Sequence, residues 1–131
     1  MSAPPLFVYG TLTVAGGHPL LRAAERLGPA TTTGTLWELP EGYPALVPGP
    51  DGRVHGELVA LPPPDVMEAL DDYEGVAEGL YRRVLLEVSG PWGAVTAWAW
   101  VMDDPAARGG VRSVSGRWAS IAGSAAPGDA R

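Results

Sequence analysis

The sequence predicts an α+β domain: a small, curled, mixed sheet that approaches a barrel, with two or so helices at its flanks. Three observations lead there. Residues 81–88 and 94–102 alternate with the period of a strand on either side of a turn at 89–93, the pattern of a hairpin. Apolar or β-branched runs at 6–9, 31–37 and 54–61 read as further strands. Helical patterns at 18–27 and 62–75 interrupt the strands without regular βαβ alternation, which argues against a doubly wound fold.

In chain order, residues 6–9 form a short buried strand that stops at Gly10. Leu20, Leu21, Ala24 and Leu27 have helical spacing, and Gly28-Pro29 ends the pattern. Residues 31–37 are β-branched. Residues 38–52 are dense in turn formers around a short apolar piece at 45–47. The strand at 54–61 carries Gly56, a candidate bulge. Pro62, Pro63 and Pro64 stop it. Asp65 and Glu68 then have the spacing of a capping box, Val66, Ala69, Leu70 and Tyr73 share a helix face, and Gly75 sits where a C-terminal cap belongs. In the hairpin, Val84, Leu86 and Val88 oppose Tyr81, Arg83, Leu85 and Glu87; Val95, Ala97, Ala99 and Val101 oppose Thr96, Trp98 and Trp100. Beyond residue 103 the pattern dissolves. Trp118 is a candidate anchor for a last segment. The division expected is one domain over residues 1–120 and a flexible tail over 121–131.

Composition excludes several function classes. The net charge of -6 argues against nucleic acid, whose affinity rests on neutralised phosphates. All 9 basic residues are arginine, and Lys, Asn and Gln are absent, as a GC-rich coding bias would produce. With 0 cysteines there are no disulfides, thiol nucleophiles or thiolate metal sites. The 2 histidines, His18 and His55, are too few for most transition-metal sites, so neither metal nor cofactor is expected, and both are read as structural. No apolar run has the length of a membrane span, and the start lacks a basic n-region. These features predict a soluble, cytoplasmic protein.

Three places could carry chemistry. At Tyr9-Gly10-Thr11-Leu12, Gly10 lets the backbone take unusual dihedrals, and successive amides could form an anion-binding nest; from spacing alone an ordinary strand-to-loop turn is the simpler reading. At Asp71-Asp72-Tyr73-Glu74-Gly75, three carboxylates crowd a predicted helix C-terminus, where negative charge is disfavoured. A solvated acidic face explains this, but burial beside like charges would raise the pKa of Glu74 and suit it to proton transfer at neutral pH. In "LYRRVLLEV", Tyr81 and Arg83 share a strand face. They face solvent, or they point into a cavity or onto a carboxylate such as Glu74.

The motifs VYGTL, YPAL, VHGELVAL, LDDYEG, LYRRVLLEV and AWAWVM follow one another in this order. The series resembles the γ-glutamylcyclotransferase-like superfamily, in its AIG2-like (γ-glutamylamine cyclotransferase) branch, over roughly residues 7–102. The resemblance implies a barrel-like sheet with a pocket at one end. It implies that Tyr9, Gly10, Thr11 and Leu12 wrap the amino-acid end of a γ-glutamyl group and that Glu74 is the catalytic acid/base. It also implies that Tyr43, Tyr81 and Arg83 line or brace the pocket. The reaction so implied needs no cofactor, because the substrate's own α-amine attacks its γ-carbonyl and 5-oxoproline leaves. The partner would be a small γ-glutamyl compound.

The chain departs from the family pattern in three places. Residues 13–18 read TVAGGH where basic and amide side chains are common. Trp100 stands where a tyrosine is usual. The loop at 76–79 is small, with Glu78 its one charge. The leaving-group side should therefore differ. Two other readings use the same residues: a non-catalytic module for an amino-acid-like carboxylate, and a hydrolase that releases free glutamate.

Overall fold

The computed structural model describes residues 3–10 and 18–117. Among these residues six strands form one sheet: β1 (Leu6–Val8), β2 (Arg26–Glu38), β3 (Pro44–Val59), β4 (Arg82–Gly90), β5 (Gly93–Val101) and β6 (Val111–Arg112). Their order is β3-β1-β5-β4-β2-β6, and a β2–β3 pairing closes the first five into a mixed barrel, with β6 added on β2. Helix α1 (Pro64–Tyr73) is the one α-helix among the described residues, and short 3-10 turns occur at Pro19–Leu21 and Pro105–Arg108. The division at residue 120 and Trp118 lie outside the described residues.

Closure follows from β1. It pairs antiparallel with β3 (Phe7 opposite Leu58) and parallel with β5 (Leu6 opposite Trp98), so neither edge is free. Both of its faces are buried as well, which is why it reads as an unbroken apolar run. Phe7 and Tyr9 point into the barrel with Leu46, Val54, Leu58, Ala97, Ala99 and Val101. Leu6 and Val8 point outward, against Met67 and Leu70 of α1, Trp100 of β5 and Met102 just past it. The two faces assigned to residues 94–102 therefore exist, and each belongs to a different core. Ala97 and Ala99 leave room inside the barrel for the Phe7 ring, the small-beside-large filling that a narrow barrel needs.

Four local expectations are corrected. The helical spacing at 18–27 gives no helix: Pro19–Leu21 make a 3-10 turn, and β2 has begun by Arg26 because Arg26 pairs with Val59. The turn-rich stretch 38–52 is mostly strand. The reversal uses only 39–43, and β3 then runs on, with a register break that sets Gly34 opposite Pro48 and Thr33 opposite Arg53. Residues 49–52 are thus an excursion within one strand. Gly56 is not a bulge; it pairs in register with Ala30. Finally, α1 has no capping box. Pro63 is the N-cap residue without a side-chain bond, and Asp65 lies inside the first turn, where it still faces the helix's positive end.

No helix among the described residues is long and apolar enough to cross a membrane.

Candidate active site

Glu74 is placed by the way α1 ends. Its backbone N–H reaches Leu70 O at 2.9 Å, so it is the last residue still bonded into the helix. Gly75 then takes φ 69°, a left-handed conformation that favours glycine. The Gly75 N–H donates to Asp72 O at 3.1 Å, and the Val76 N–H reverses onto Asp71 O at 3.0 Å. These paired bonds are a Schellman motif. The sequence Asp-Asp-Tyr-Glu-Gly is thus a helix stop that holds one glutamate at a carbonyl-rich end. Glu74 is 7% exposed and is the one buried charged residue among those described.

Gly10 ends the candidate binding turn's first half. It is buried and left-handed, with φ 73°. Thr11 and Leu12 lie outside the described residues, as do the unusual residues 13–17. The Tyr9 hydroxyl donates to Trp100 O at 2.6 Å and accepts the Leu46 N–H at 3.2 Å, joining β1, β5 and β3. The Tyr81 hydroxyl donates to Pro44 O at 2.6 Å. Tyr43, beside Pro44, is half-buried and packs on the outer core that also holds Tyr81 and Trp100. Tyr81→Phe leaves the Pro44 carbonyl without this donor and is expected to lower stability by about 1–3 kcal/mol. A denaturant midpoint within error of wild type would show that this bond contributes nothing.

Arg83 does not pair with Glu74. Its Nε and a terminal N–H fork onto the two oxygens of Asp71, at 2.9 and 3.0 Å, and its guanidinium lies 4.6 Å from the centre of the Trp98 ring. The Trp100 indole N–H also donates to Asp71, at 2.8 Å. Asp71 is therefore a carboxylate near a helix C-terminus that three donors make tolerable. The sequence signal was present, as an acid one turn before Glu74 and an arginine on a strand, but spacing did not assign the partner. Trp100, one of the expected departures from the family pattern, thus presents a donor of its own.

His18, expected to be structural, bonds into the fold beside this site. Its Nδ1 accepts the Leu20 N–H at 3.1 Å, and its ring stands edge-on to Tyr73, centroids 4.3 Å apart, next to Glu74 in the chain. Burial holds its pKa below the ordinary 6.5. The neutral ring is thus favoured by the fold, so its contribution is complete above about pH 6.5 and is lost as pH falls below that value. Between pH 7 and 5 the wild type should lose stability more steeply than His18→Asn, which can keep the capping acceptor without titrating. Parallel denaturation curves across that range would contradict this.

Among the described residues no three His, Asp or Glu side chains gather to hold a metal. A cavity of about 320 Å³ beside β6, lined by Trp37, Glu38, Arg112 and Arg117 among others, includes none of the candidate residues. The Ser113 and Ser115 hydroxyls on its wall turn onto the Arg117 carbonyl.

The chain is similar to known proteins over nearly all of its length. The sequence profile described as "Gamma-glutamyl cyclotransferase, AIG2-like" matches residues 6–120. Among solved structures, ytfP from Escherichia coli is 30% identical with a TM-score of 0.66, and the match covers 91% of this chain and 99% of that one. YkqA from Bacillus subtilis is 25% identical with a TM-score of 0.70 over 89% of this chain but only 40% of its own, so this chain spans less than half of YkqA. An AIG2-like protein from Mus musculus shares the fold at 24% identity and a TM-score of 0.63, covering 78% of each chain. No curated protein sequence matches. A profile match that begins at β1 and runs past β6, on the five-stranded barrel these structures share, places this chain in the γ-glutamyl cyclotransferase, AIG2-like family.

Proposed function

We propose that this protein is a cyclotransferase that converts a γ-glutamyl amide into 5-oxoproline and a free amine or peptide, without a cofactor. The observation that carries the reading is the buried Glu74, held at the end of α1 by Gly75. A buried carboxylate at a helix end is a placement that marks functional sites. In this reading, the nitrogen of the substrate's neutral α-amine bonds to the γ-carbonyl carbon, and Glu74 takes a proton from that nitrogen as the bond forms. The tetrahedral intermediate collapses as the bond to the leaving nitrogen breaks, and Glu74 returns the proton to that nitrogen. The lactam keeps the original carbonyl oxygen. Tyr9, Gly10, Thr11 and Leu12 hold the amino-acid end, and Tyr43, Tyr81 and Arg83 shape the wall. Holding the amine against its own carbonyl can supply roughly 7–11 kcal/mol of the barrier reduction.

Turnover in ¹⁸O-labelled water tests the reaction type. Cyclisation yields 5-oxoproline free of label. Labelled glutamate would mean that water is the nucleophile and that the protein is a hydrolase. Tight calorimetric binding of γ-glutamyl compounds with no product of either kind would leave a binding module.

A further inference from the structure

We infer that Asp71 is a positioning residue: through Trp100 it fastens the helix end that carries Glu74 to the barrel rim where the Tyr9–Gly10 turn begins. The inference rests on the reading of Glu74 as the proton shuttle, and the argument for it is geometric. Asp71 is used at both its ends. Its backbone carbonyl closes the reversal behind Glu74 by accepting the Val76 N–H at 3.0 Å. Its carboxylate leaves the helix and takes Arg83 of β4 and the indole of Trp100 of β5. Trp100 is also used twice. While its indole holds Asp71, its own carbonyl accepts the Tyr9 hydroxyl at 2.6 Å, and that hydroxyl accepts the Leu46 N–H of β3. A continuous run of hydrogen bonds therefore links Glu74's helix end to the residue next to Gly10.

The pieces are suited to this. Asp71 and Arg83 side chains are only 23% and 27% exposed, and Trp100 is 2% exposed, so water competes poorly for the bonds. The forked arginine fixes direction as well as distance. Strands β4 and β5 are locked in antiparallel register, with Arg83 directly opposite Trp100, so both donors present themselves from one rigid surface. Displacement of about 1 Å in a reacting constellation can lower a rate roughly 10²-fold, so the strut acts on turnover rather than on affinity.

The test uses the full chain with Trp100→Phe and Asp71→Asn beside wild type. The first removes one donor and keeps most of the ring; the second keeps the shape and turns an amide N–H₂ toward Arg83. Two readouts are taken at a temperature where every variant is folded. Amide hydrogen exchange at Glu74, Gly75 and Val76 should quicken about tenfold or more, with little change inside the β2–β3 ladder. The kcat for 5-oxoproline release should fall at least about tenfold with KM within about twofold. Unchanged exchange at the helix end would overturn the strut, whether or not any substrate is turned over. Quickened exchange with an unaltered kcat would overturn the positioning role and leave only a structural one. If wild type releases no 5-oxoproline, the proposed function fails and with it the catalytic half of this inference, while exchange still decides whether Asp71 anchors the helix end.

Discussion

Glu74→Gln should lower kcat by about 10²–10⁴-fold while leaving the fold in place. Glutamine has nearly the volume of glutamate, so the buried space at the end of α1 stays filled. Glu74's backbone bond to Leu70 and the left-handed turn at Gly75 do not involve the side chain. What is lost is the ability to accept a proton from one nitrogen and return it to another. KM should move little, because the amino-acid end of the substrate is held elsewhere. Unfolding midpoints for wild type and variant should agree closely. A variant that retains most of its turnover would remove Glu74 from the chemistry, even if the cyclotransferase reading survived.

Gly56→Ala is expected to damage the fold heavily. Gly56 lies in a regular stretch of ladder opposite Ala30, so its backbone needs no special dihedral. The constraint is space: an added methyl would overlap the Val8 carbonyl and come within 2.8 Å of the Phe7 ring. The carbonyl cannot swing away, because β1 is pinned on both sides by β3 and β5. The strand itself must shift, and overpacking of this kind costs about 3 kcal/mol. For a domain of this size that is a fall of roughly 10 °C in Tm. Activity should suffer too, since β1 leads directly into Tyr9 and Gly10. A Tm within about 2 °C of wild type would mean that β1 yields easily, against the closed-barrel account of its rigidity.

The hairpin was legible because residues 81–88 and 94–102 alternate with a period of two, and burial on both faces of β5 only changed which core each face met. Trp98 and Trp100 look outward to α1, and Ala97 and Ala99 inward to the barrel. The end of α1 was legible for the same local reason: a glycine directly after an apolar helical face. The helix expected at 18–27 failed because its signal was tertiary in origin. Leu21 joins the outer core and Leu27 packs on the inner one, which no single helix face could do. Pairing of Arg26 with Val59 overrode the spacing. In residues 44–59 the turn formers were real, but a register break absorbed them without ending the strand. Arg83 shows where sequence reading of a site stops. Both Asp71 and Glu74 lie near it in the motif, and only the folded structure selects Asp71.

Release of 5-oxoproline by the purified protein from a panel of γ-glutamylamines and γ-glutamyl peptides is the most direct test of the account. It predicts release from at least one member by wild type, falling about 10²-fold or more with Glu74→Gln. Folded wild type that binds panel members and releases no 5-oxoproline from any of them would contradict it.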